Sequence, residues 1–163
     1  MMLKTIKIML LILIIVSTLN SCKSESKKDL NEFINELNSA YGCNLKQDDF
    51  FIEKKENPIY HTMSGENSLL SLYSNKNGEI IQCTLSSFGT KFENNYIFMT
   101  AVGVILTNSS KNSIETMLKN AVNTGKDSKN GWTAIFVEND VGTTFIINQT
   151  TNEINNNRLP TIK

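Results

Sequence analysis

Residues 69–74 and 79–86 flank Asn75-Lys76-Asn77-Gly78, and this arrangement narrows the available folds more than any other feature of the chain. Asn-Gly accepts the positive φ angles that a tight hairpin demands, so the two runs are expected as adjacent antiparallel strands. In the second run Ile81, Cys83 and Leu85 alternate with Gln82, Thr84 and Ser86, the period-two pattern of a strand with one buried face. Two more strand candidates precede the hairpin. Residues 49–56 contain Phe50-Phe51-Ile52, and Pro58 bounds residues 59–64.

Helical spacing frames this β region. Asp29 stands three residues before Glu32, the arrangement that satisfies first-turn amides. Leu30, Phe33, Ile34 and Leu37 then recur on one stripe, and Gly42 sits where a left-handed C-terminal residue belongs. Thr90 and Glu93 form a capping box for a helix over 92–106 whose apolar residues surround most of its circumference, so it is expected to be buried and central. Ala101 and Gly103 within it allow close approach of another backbone. Asn112 and Glu115 suggest a further capping box, opening a helix with Ile114, Met117, Leu118, Ala121 and Val122 on one side and ending at Gly125.

Residues 126–131 read as a polar loop, and 132–138 and 143–149 as two last strands. The order helix, four strands, two helices, two strands predicts an α+β domain. Its core would be an antiparallel sheet of about six strands with the helices packed on one face.

The amino-terminal segment constrains location instead of fold. Lys4 and Lys7 form a basic head, Ile8 to Val16 is an unbroken apolar run, and Leu19-Asn20-Ser21-Cys22 closes it. This is the layout of a secretory signal. The run is shorter than the roughly 20 apolar residues that cross a bilayer. Its last four residues resemble the lipobox of bacterial lipoproteins, with Leu19 at minus three and small Ser21 at minus one. In that family the equivalent of Cys22 is diacylated on sulfur and the signal is cut just before it. The resemblance implies a cleaved signal over 1–21, a lipidated Cys22, and a domain held by that lipid on the exported side of the cell membrane or outer membrane. Lys23, where enteric bacteria use Asp to retain lipoproteins at the inner membrane, favours the outer one. Residues 22–28 would then be the lipidated cysteine and a polar tether, 29–150 a single domain, and 151–163 an Asn-rich, loosely held tail.

Composition excludes several classes. Removing residues 1–21 takes away Lys4 and Lys7 and no acid, so 14 basic residues stand against 16 acidic, a formal charge of −2. Arg158 is the single arginine. A nearly neutral chain with a single guanidinium group has no electrostatic footprint for nucleic acid.

With Cys22 committed to lipid, Cys43 and Cys83 remain. In an exported domain they form either a disulfide or two buried thiols acting as small apolar residues. The cysteines and the lone His61 do not supply a spaced ligand set for a metal, and no motif calls for a cofactor.

No catalytic motif is present: neither a Gly-x-Ser-x-Gly elbow, a phosphate-binding glycine loop, nor a zinc-protease helix. His61 is expected to face solvent from its strand. Asp48, Asp49 and Glu53 are the carboxylates that could converge for hydrolysis, and Tyr60, Tyr73 and Trp132 are aromatic candidates for a binding surface. These observations favour a non-enzymatic envelope lipoprotein that binds another protein. The alternatives are a small-ligand carrier or sensor with an apolar pocket between helix 92–106 and the sheet, and a carboxylate-dependent hydrolase.

Overall fold

The computed structural model describes residues 28–64, 67–88 and 92–150. The signal, Cys22, most of the tether and the tail lie outside them, as do the side chains of the Thr90–Glu93 capping box. Helix α1 (Leu30–Tyr41) begins as its cap predicts: the Asp29 carboxylate accepts the Glu32 amide at 2.9 Å. It ends on Gly42 at φ 65°, whose N–H donates to the Asn38 carbonyl. Leu30, Phe33, Ile34 and Leu37 are all buried. Each such side chain, fully removed from water, contributes about 1.5–3 kcal/mol.

A short 3-10 turn (Gln47–Asp49) leads into strands β1 (Phe51–Glu53), β2 (Ile59–Met63), β3 (Ser68–Ser74) and β4 (Ile80–Phe88). Helices α2 (Phe92–Thr107) and α3 (Lys111–Thr124) follow, then β5 (Lys126–Lys129), β6 (Trp132–Asn139) and β7 (Gly142–Gln149). The seven strands form one antiparallel sheet in the order β1-β2-β3-β4-β7-β6-β5. The chain is therefore α+β.

Four details differ from the sequence reading. The additional strand is β5, whose residues Lys126 to Lys129 pair with Ile135 to Trp132. It carries no apolar alternation, so only its pairing with β6 makes it a strand. A register shift opposite Tyr73/Ser74 places Ile80 in the core in place of Ile81. A bulge inserts one residue and flips the face of what precedes it. Ser110, two residues earlier than expected, caps α3 by accepting the Ser113 amide. Finally, α2 packs against α1, α3, β4 and β7, yet Ile97 on its outer side is 67% exposed.

Two rows of the sheet face the helices. Leu72, Cys83, Ile147 and Ala134 lie side by side in register, as do Leu70, Leu85, Phe145 and Phe136. Met99, Val102 and Leu118 of the helices are likewise buried. Gly103 lets α2 settle onto this layer: a Cβ there would lie 2.8 Å from both Ile114 Cγ2 and Ile147 Cδ1. Side chains of both layers therefore meet closely around Gly103, within the seam where an apolar pocket was expected. Among the described residues a cleft of about 260 Å³ lies elsewhere, between α1 and α2, lined by Glu36, Tyr41, Val104 and Asn108 among others.

The Cys43–Cys83 bridge is not formed; both thiols are free. Cys83 sits at the centre of the sheet under the helices, and burial pushes its thiol up to about 12. Cys43 lies partly exposed in the loop after α1. An even cysteine count allowed the pairing, but the fold holds one of the two in the middle of a packed layer. Among the described residues no helix is long and apolar enough to cross a membrane.

Candidate functional site: the helix-free face of the sheet

Alternation sends every second residue of each strand to the face opposite the helices. There Phe51, His61, Ser71, Thr84, Ile146, Ile135 and Lys126 stand directly beside one another across all seven strands. On one side of this row runs Glu53, Ile59, Tyr73, Gln82, Asn148, Thr133 and Ser128, and on the other Met63, Leu69, Ser86, Thr144 and Val137. The face mixes hydroxyl and amide groups with apolar side chains in every row, Ile146 and Ile135 in the central one among them.

The polar groups of the face are knitted together by side-chain hydrogen bonds. His61 Nδ1 lies 2.9 Å from Ser71 Oγ. Ser86 and Thr144 hydroxyls meet at 3.2 Å, and the Thr133 hydroxyl bonds those of Ser128 and Thr150 at 2.9 and 3.1 Å. Burial raises the Tyr73 phenol above its ordinary value, partly offset by its hydrogen bond with Thr84. Ser71, Thr133, Ile146 and Asn148 are each less than a tenth exposed, and the buried Asn148 Oδ1 has no hydrogen-bond partner.

His61, expected in solvent, is instead half-buried between Glu53 and Ser71, with the Phe51 ring stacked 6.4 Å away. Its Nε2 lies 3.9 Å from Glu53 Oε2. The Glu53 carboxylate is held below its usual value, first by the 2.6 Å contact with Lys55 and then by the charges of Lys55 and His61. Acid, imidazole and hydroxyl therefore lie in a line, but acyl transfer needs more than that order. The Glu53 contact is longer than a hydrogen bond. Ser71 sits on a strand paired on both sides, so its neighbourhood offers no spare amide pair to stabilise an oxyanion. His61 is hydrogen-bonded to Ser71, while Glu53 pairs with Lys55.

The remaining candidate residues are dispersed. Asp49 is engaged at the 3-10 turn, accepting the Lys46 amide at 2.7 Å, while Glu53 belongs to the open face. Among the described residues no three His, Cys, Asp or Glu side chains gather as a metal site. Tyr60 and Trp132 point to the helix-covered side and pack against the core; Tyr73 alone of the three aromatics reaches the open face.

The sequence reading missed the residues that give this face its character. Phe51, Met63, Phe88 and Val137 are respectively 73%, 54%, 50% and 46% exposed, and register puts all four on the helix-free side. A signal existed in β4, where Phe88 keeps the outward phase of Gln82, Thr84 and Ser86. The others needed strand order to be seen as neighbours. No protein-family model, curated protein or solved structure matches this chain.

Proposed function

We propose that this protein is a lipid-anchored envelope lipoprotein whose domain acts as a non-enzymatic protein-binding module through the helix-free face of its sheet. The observation that carries the binding role is the set of apolar side chains, Phe51, Met63, Phe88 and Val137, that four strands expose on one face among hydroxyl and amide groups, the mix of apolar and polar surface that protein interfaces use. A near-neutral chain and the hydroxyl and amide groups around the patch suit a protein partner better than nucleic acid. The anchor rests on Leu19-Asn20-Ser21-Cys22, and two acyl chains hold a protein firmly at a bilayer.

Cys22→Ser tests the anchor. The variant is expected to lose lipid and normal signal cleavage; normal maturation together with continued sedimentation with membranes would refute lipidation. Crosslinked envelopes test the module. Recovery of lipid-processing machinery alone would count against it.

A further inference from the structure

The helix-free face is not uniformly wet. An antiparallel sheet with helices on one side can leave the other to solvent, and Phe51, Met63, Phe88 and Val137 follow that rule at between 46% and 73% exposed. The middle of the face does not. Ser71, Thr133, Ile146 and Asn148 are only 6%, 4%, 7% and 6% exposed. Asn148 Oδ1 is buried and has no hydrogen-bond partner, whereas a buried acceptor normally finds a donor. In the same row, burial holds the Tyr73 phenol above its ordinary value.

Among the described residues no element crosses this face. Helices α2 and α3 meet the sheet from the other side, and α1 stacks on α2. Three other parts of the chain are candidates for the cover. Residues 65–66 and 89–91 adjoin Met63 and Phe88, at the end of the face away from Asn148. The chain before Lys28 arrives among the helices, where the Lys28 ammonium donates to the Ile105 carbonyl and to Glu36 Oε2. The chain after β7 is already on the open face. The Thr150 amide donates to the Gly131 carbonyl at 2.7 Å, and its hydroxyl meets that of Thr133, the neighbour of Asn148, at 3.1 Å.

Reach and composition agree with that third source. Residues 151–163 can extend at most about 45 Å, while β7 and β1 are four strand spacings apart, about 19 Å. The segment carries four asparagines between residues 152 and 157, whose amides are the donors that Asn148 Oδ1 lacks. Ile154, Leu159 and Ile162 are apolar partners for Ile146 and Ile135.

We infer that residues 151–163 dock across the middle of the helix-free face, over Thr133, Ile146 and Asn148, with an asparagine amide donating to Asn148 Oδ1. The occupant is this chain's own segment, and it leaves Phe51, Met63, Phe88 and Val137 uncovered. The docking rests neither on the anchor nor on the partner proposed above.

The test uses the full chain with a photo-crosslinking residue at Thr84 or at Ile135, the two residues that flank Ile146. Ile97, on the outer side of α2, is the control. The expected result is an intrachain link from Thr84 and from Ile135 to a peptide within 151–163, at least tenfold above Ile97. Leu159→Asp together with Ile162→Asp should lower that yield at least fivefold. The same pair should bring the Tyr73 phenol down toward its ordinary value, read by ultraviolet titration against Tyr73→Phe, with the circular dichroism unchanged. Links to residues 1–27 in place of 151–163, an equal yield from Ile97, a yield insensitive to the paired substitution, or no intrachain link would each overturn the inference. A foreign protein captured at Thr84 and Ile135 in place of the intrachain link would overturn it and leave the partner reading intact. The intrachain link with no foreign adduct from Met63 or Phe88 would uphold it and count against the partner alone.

Discussion

The two faces of this sheet are built from the same strands and obey different rules. On the helix side, Leu70, Leu72, Leu85, Phe145 and Ile147 are at most 1% exposed and meet the helices as a close-packed layer. On the other side, Ser71, Tyr73, Gln82, Thr84 and Asn148 replace them, one residue out of phase along the same strands. Stability is concentrated on the first face. The second can vary its exposed side chains at little cost to the fold, which leaves them available for recognition.

The largest effect is expected from an aromatic pair split across the two faces. Phe145→Ala should cost about 3–5 kcal/mol, because it leaves a cavity beneath α2. Phe51→Ala, at a side chain 73% exposed, should cost within about 0.5 kcal/mol. Urea denaturation of both variants measures the contrast, and similar losses would mean that the open face is covered in solution.

Cys83 sharpens the same contrast through pH. Its folded thiol is raised to about 12, whereas the unfolded thiol titrates near its ordinary value of about 8.5–9. Between those values the native state retains a proton that the unfolded chain has lost, so stability falls as pH rises. The loss approaches about 1.4 kcal/mol for each pH unit across that window. Cys83→Ala should flatten the slope relative to the parent protein. In the folded state a thiol reagent should modify Cys43 readily and Cys83 only after unfolding.

Smaller changes probe how the helices are held on their side. Lys28→Met should cost about 1–3 kcal/mol, since it removes a charged donor from the Ile105 carbonyl and from Glu36. Gly103→Ala should cost about 1–3 kcal/mol by forcing Ile114 and Ile147 aside. Thermal melting of both variants, compared with Met63→Ala as a nearly neutral control, completes the series.

The parts legible in the sequence were those specified by local chemistry. The Asp29 cap, the Gly42 and Gly125 stops, and the Asn77-Gly78 turn (Gly78 φ 82°) each depend on a few adjacent residues. Strand β5 was illegible because Lys-Asp-Ser-Lys has no apolar period and extends only through its bonds to β6. The bulge at Ile81 was illegible because a register shift depends on two strands at once. The contact of His61 with Ser71, and the separation of Cys43 from Cys83, likewise required knowing which strand lies beside which. The exposed apolar side chains of the open face belong to that class: Phe51, Met63, Phe88 and Val137 come to share one face only through the order β1-β2-β3-β4-β7-β6.

The outer margins of the sheet have a consequence for how the protein behaves when crowded. One margin among the described residues, β5, exposes Lys126 and Lys129, and lysines on a sheet border oppose lateral addition of another strand. The other margin, β1, is three residues long, too short for an incoming strand to gain more than a few ladder bonds. Lateral growth into fibrils is therefore discouraged on both flanks, and molecules at high concentration can stand side by side without fusing their sheets.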